Sequence, residues 1–113
     1  MATKSFRDLI VWQKSRDLAV IIYNLTEKLP DSEKYNLASQ MRRAVVSISS
    51  NIAESCRRFH RKEKRQLLAV AYGSGGELES QIEVAKLLFK GLNCEEAEKV
   101  LGEVMRMLNS MLH

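Results

Sequence analysis

A single proline among 113 residues leaves almost nothing to interrupt a helix, and five glycines add few further breakers. Long helices are the expectation. No apolar run approaches the roughly 20 residues that a membrane-spanning helix requires. Met1 to Lys4 lacks the apolar core of a secretory leader, so the cytoplasm is the expected compartment. Two cysteines, Cys56 and Cys94, are too few for a disulfide framework. They fall at opposite ends of the bundle derived below and are expected as unpaired thiols. The two histidines, His60 and His113, have no cysteine or carboxylate at a metal-ligand spacing, so neither metal nor cofactor is expected. There is no internal repeat, linker or low-complexity segment.

What is present describes one ordered domain over residues 1–113. Hydrophobic residues make up 45% and charged residues 28%, a balance typical of globular chains. Apolar residues recur at three-four spacing in four stretches. The first, about Phe6 to Leu29, carries Val11, Leu18, Ile22, Leu25 and Leu29 on one stripe, with Leu9, Trp12, Ala19 and Tyr23 on a second. Pro30 stops it, because the residue before proline is pushed out of the α region. Asp31 and Ser32 then offer caps for a second helix running to about Arg58, with Leu37, Met41, Val45, Ile48 and Ile52 on its apolar face. The third, about Arg61 to Lys90, presents Leu67, Ala71, Leu78, Ile82, Ala85 and Phe89. Gly91 is expected to end it in the left-handed region, and Asn93 with Glu96 to cap the fourth. That last helix shows Ala97, Leu101, Val104, Leu108 and Met111. Short connections between long helices predict an all-α, antiparallel, up-down-up-down four-helix bundle.

Gly73-Ser-Gly-Gly could break the third helix. Folding helices two and three about residues 59–60 sets these glycines level with Val46, Ala44 and Arg43. Small residues then face small residues, which predicts an unbroken helix packed closely on its neighbour. The run is not a phosphate-binding loop, since it lacks the lysine ending and no strand precedes it.

The same register brings Glu77 near Arg43. Gln40, Arg43, Ser47, Asn51 and Glu54 form a polar flank on helix two, with Glu77 and Gln81 opposite. No histidine, nucleophile or second carboxylate at fixed spacing accompanies them, so no enzymatic activity is expected. An Arg–Glu pair that fixes register or builds a subunit interface is the simpler reading.

Net charge is +4, and its location is more informative than its size. Residues 42–65 hold eight Lys/Arg against two Asp/Glu, a local +6, whereas residues 66–113 hold four against seven. Arg57, Arg58, Arg61, Lys62, Lys64 and Arg65 surround the turn between helices two and three. That turn is expected to project past the outer helices. Cations so placed neutralise phosphates, and Phe59 and His60 at the tip could stack on unpaired bases. A solvated turn without a ligand is the plain alternative, and an acidic protein partner is another. A membrane surface fits less well, because large aromatic anchors on an apolar face are missing.

Several ordered motifs carry a resemblance over nearly the whole chain. These are Phe6-Arg-Asp-Leu-Ile-Val-Trp-Gln-Lys, Gln40-Met-Arg-Arg-Ala-Val-Val-Ser-Ile, Ser50-Asn-Ile-Ala-Glu and Ala71-Tyr-Gly-Ser-Gly-Gly-Glu-Leu-Glu-Ser-Gln. Together they resemble the four-helix-bundle proteins encoded in intervening sequences of bacterial 23S ribosomal RNA genes. The resemblance implies a ring-shaped homopentamer. It also implies distant kinship to accessory proteins of diversity-generating retroelements, which bind nucleic acid and a reverse transcriptase. The expected partners are therefore further copies of the chain, RNA or DNA, and a reverse transcriptase or other protein. On this reading Gln40, Arg43, Ser47, Asn51, Glu54, Glu77 and Gln81 are candidates for polar contacts within or between subunits. One departure stands out: Ser55 follows the Asn-Ile-Ala-Glu motif where the family usually has glycine, and serine can prolong the helix.

Overall fold

The computed structural model describes residues 5–113. Met1–Lys4, read above as lacking a leader core, lies outside them. Four helices make up the fold: α1 (Ile10–Glu27), α2 (Leu37–Ser55), α3 (Arg61–Leu88) and α4 (Glu95–Leu112). No strand occurs among the described residues.

Side-chain contacts give the directions. Arg42 on α2 reaches Thr26 and Glu27 near the end of α1, while Arg57 lies against Phe6 near its start. Lys86 on α3 meets Glu98 on α4, and Lys14 on α1 meets Glu103. The Ser47 and Ser74 hydroxyls join α2 to α3 at 2.8 Å, two residues from the expected register. Neighbouring helices thus run antiparallel, in a body measuring 45 × 22 × 21 Å. Leu18, Ile22, Met41, Val45, Ile48, Ile52, Leu78, Ile82, Val104 and Leu108 are fully enclosed, so one stripe from each helix makes the core.

The ends differ from expectation. Residues Phe6–Asp8 form a separate 3-10 turn closed by its own capping box, in which Ser5 Oγ accepts from the Arg7 N–H and Asp8 Oδ2 from the Ser5 N–H. Leu9 is extended, so α1 starts only at Ile10. Asp31 and Ser32 do not cap α2. Asp31–Glu33 is another 3-10 turn, and Asn36 leaves helical space at φ −116°, ψ −105°. The Glu33 carboxylate accepts from the Leu37 N–H instead. α2 stops at Ser55 rather than Arg58. Ser55 does not prolong it, its hydroxyl donating back to the Ile52 carbonyl at 2.6 Å. α3 stops at Leu88, because Phe89 has left helical space at φ −128°, ψ 77°.

Gly91 is not left-handed; no described residue has positive φ. A turn closed by the Leu92 N–H on the Phe89 carbonyl does its work. Asn93 does accept from the Glu95 N–H at 3.0 Å, with Cys94 at the cap position. In the last turn Leu112, not Met111, faces the core. Cys56 and Cys94 are both free thiols. Burial pushes the Cys94 thiol up, and Glu98 adds to the shift.

α3 is unbroken through its glycines, but the close approach lies elsewhere than expected. Only Gly75 is crowded, and its neighbour is Met105 of α4 rather than α2. A Cβ at Gly73 or Gly76 would meet open space. Gly73→Ala and Gly76→Ala are therefore each expected to raise stability by about 0.5–1 kcal/mol through helix propensity. At Gly75 the same gain is offset by displacement of Met105. Thermal melts of the three variants check this, and a lower melting temperature at Gly73 or Gly76 would mean that assembly covers the open face.

Candidate nucleic-acid interface

The turn between α2 and α3 is built by helix-end chemistry. After Ser55, the N–H groups of Cys56, Arg57 and Arg58 bond three residues back, which tightens the final turn. His60 is extended and makes no side-chain cap, so α3 begins with amide donors that no side chain satisfies. Arg57, Arg58, Phe59, His60, Arg61, Lys62, Lys64 and Arg65 are all exposed, as expected. Arg58 is paired to Glu54, whose hydrogen bond also raises the Arg58 pKa. Among the described residues Arg57, Arg61, Lys62, Lys64 and Arg65 form no ion pair.

Two features of the turn cost stability. The α3 macrodipole is positive at this end, so Arg61, Lys62, Lys64 and Arg65 face an unfavourable field, relieved only by Glu63. Phe59 is 95% exposed, forgoing roughly 2 kcal/mol that burial of such a ring would contribute. Both are understandable if a negatively charged, stackable ligand covers the turn.

The local +6 read from residues 42–65 overstates this end. Arg42 sits about 22 Å of helix away from Arg57. It is absorbed structurally, donating to Thr26 Oγ1 at 2.8 Å and Glu27 Oε1 at 2.9 Å, and lying 4.6 Å from the Tyr23 ring. Other residues, missed in the sequence, join the basic end. Arg57 Cζ is 5.9 Å from the Phe6 ring centroid and Arg7 Cζ is 4.5 Å from it. Phe6 packs edge-on against Trp12 at 4.8 Å, and Arg16 Cζ lies 5.4 Å from the Trp12 ring. The overhang of the turn is thus partly flanked by the N-terminal segment. The antiparallel register of α1 on α2 was the available signal.

The seven polar candidates do not form one network, and of them Ser47 and Asn51 meet at the α2–α3 seam. Asn51 donates to the Ser47 carbonyl and hydroxyl at 2.8 and 3.1 Å, and Ser47 meets Ser74. Gln40, Arg43 and Glu77 are exposed, and the expected Arg43–Glu77 pair is not formed among the described residues. Two formally charged groups on water-facing surface gain little by holding one geometry. Gln81 is different: it is 8% exposed and its Oε1 has no hydrogen-bond partner among the described residues. Beside it on α3, Val70, Val84 and Leu88 are exposed apolar residues. At 100° per residue they fall within about 40° of one line that also includes Ser74, Glu77 and Gln81.

No group of three His, Cys, Asp or Glu that could hold a metal occurs among the described residues. None of the described helices is long and apolar enough to cross a membrane.

Fold and surface together define a class, the all-helical four-helix proteins with one basic, aromatic end. Within it, the chain belongs to the 23S rRNA-intervening sequence protein family, whose sequence model matches residues 7–110. The fold is similar to the crystal structure of a protein of unknown function from the S23 ribosomal protein family of Bacteroides thetaiotaomicron VPI-5482. Identity is 26%, the TM-score is 0.80, and the match covers 91% of this chain and 98% of that one. No curated protein matches.

Proposed function

We propose that this protein is a non-enzymatic, self-associating bundle of the cytoplasm that holds RNA or DNA with the tip between α2 and α3. The observation that carries the reading is the tip itself: five cations without an ion pair among the described residues, close in the chain to a phenyl ring left in water, at the end of a 45 Å body. Exposed guanidinium and ammonium groups release counterions from phosphates, an attraction that ignores sequence and weakens with salt. One tip makes few such contacts. Several tips held together, as in a ring of five, raise avidity by orders of magnitude.

The α2–α3 seam supports self-association. A buried amide oxygen without a donor costs stability in a lone chain, and Val70, Val84 and Leu88 leave an apolar stripe beside it. A symmetric neighbour could cover the stripe and supply the donor. Gln81→Leu is then expected to leave or raise the stability of a lone subunit but weaken assembly, and Arg43→Ala to weaken it too. Light-scattering mass over a dilution series checks this. Wild-type mass in both variants at every concentration would remove these residues from the interface.

The function is tested by light-scattering mass together with the absorbance ratio at 260 and 280 nm. An oligomer that carries nucleic acid supports the reading. A clean oligomer that ignores mixed RNA and DNA at low salt would turn the tip toward an acidic protein partner.

A further inference from the structure

We propose that the tip takes unpaired nucleic acid, and that Phe6, Arg7, Trp12 and Arg16 continue its surface down the outside of α1. This rests on the reading of the tip as a nucleic-acid site and adds the form of the ligand and a second wall.

Paired and unpaired strands offer different chemistry. A duplex presents phosphates and base edges, whereas its base faces are already stacked on one another. An unpaired strand also presents those faces, which stack on aromatic rings and on guanidinium planes. Cations alone would serve either form. The surface here is more than cationic.

Phe59 is 95% exposed among the described residues and is flanked in the chain by Arg58 and His60. Two residues before it, Arg57 lies 5.9 Å from the Phe6 ring and so links the apex to the N-terminal turn. From there, guanidinium groups lie against a pair of aromatic rings. Arg7 lies over Phe6 at 4.5 Å, Phe6 meets Trp12 at 4.8 Å and 67°, and Arg16 lies 5.4 Å from Trp12. Asp17 holds Arg16 by two 3.1 Å hydrogen bonds, which orients its guanidinium but reduces its charge. Arg7 and Arg16 are exposed, while Phe6 and Trp12 are half-buried behind them. The guanidinium planes of Arg7 and Arg16 are thus the faces on offer to a base, and the rings behind them hold those planes in place. The Ser5–Asp8 capping box closes the N-terminal turn that carries Phe6 and Arg7.

The test uses the full chain and a short labelled oligonucleotide, offered as a single strand and as the duplex of the same sequence. Anisotropy is expected to show tighter binding of the single strand. Phe59→Ala should weaken single-strand binding about tenfold, duplex binding hardly at all, and Phe59→Trp should restore it. Arg7→Ala/Arg16→Ala should weaken the single strand further. Trp12 is the sole tryptophan, so its emission should be quenched by the single strand and not by the duplex. Equal affinity for both forms, with Phe59→Ala silent, would overturn the inference while leaving a purely electrostatic tip intact. Preference for the single strand without quenching of Trp12 would overturn the second wall. No binding of either form, at low salt, would overturn the tip reading and this inference together.

Discussion

The Arg57→Glu/Arg58→Glu/Arg61→Glu variant is expected to lose nucleic-acid affinity by about a hundredfold or more, with oligomer mass unchanged. The substitutions replace three groups that attract phosphate with three that repel it. Each lost contact also removes about 0.7 from the slope of log affinity against log salt for an unpaired strand. The flatter slope separates a lost electrostatic contact from a damaged fold. Folding itself should hardly respond. Arg57, Arg58 and Arg61 are exposed, and Arg61→Glu places an acid at the positive end of the α3 dipole. Arg58→Glu sets a like charge one turn from Glu54, a small opposing effect. A melting temperature within roughly 2 °C of wild type is the control. Undiminished binding, at the same salt, would place the ligand elsewhere on the bundle.

The second large effect concerns two leucines on one helix. Leu78 is fully enclosed, whereas Leu88 is 61% exposed in a single subunit. Leu78→Ala removes a packed isobutyl group and leaves a cavity, at a cost of about 2–5 kcal/mol. Against a total stability of about 5–15 kcal/mol, this should lower the melting temperature by roughly 10–20 °C. Leu88→Ala should change a lone subunit by less than about 0.5 kcal/mol. Circular dichroism melts at low and high protein concentration distinguish the two. A Leu88→Ala loss that grows with concentration would show that an assembled neighbour covers the α3 stripe. A harmless Leu78→Ala would contradict the packing itself.

The core was legible because it depends on period alone. Leu18, Ile22, Val45, Ile48, Leu78 and Leu108 lie where three-four spacing puts them, and they do fill the interior. The misplaced features depend on something other than period. Asp31 and Ser32 have good capping side chains, yet the backbone of Asn36 and a reach by Glu33 decide where α2 starts. Gly73, Gly75 and Gly76 are all expected to face α2, yet only Gly75 is crowded, and periodicity does not say which helix approaches it. Met105 of α4 does, because Gly75 lies on the side of α3 away from the Ser47–Ser74 contact. In the last turn the Met111 and Leu112 side chains differ by one position, about 100° of rotation, within the drift of a seven-residue repeat. The tip was readable for a simple reason: its six cations fall within nine residues of the chain. Phe6, Arg7, Trp12 and Arg16 were not, because they join it through a contact between residues far apart in the sequence.

An even number of antiparallel helices brings a chain back to the end from which it set out. The start of α1 and the end of α4 therefore leave the bundle on the same side as the tip, and the Pro30 turn lies at the far pole. Anything fused to either terminus would share the neighbourhood of the basic tip. A polyhistidine tail, charged below about pH 6.5, would imitate the cations it sits beside. A circular permutant opened at Pro30, with old termini joined, would move such a tail to the opposite pole and leave the basic end to itself.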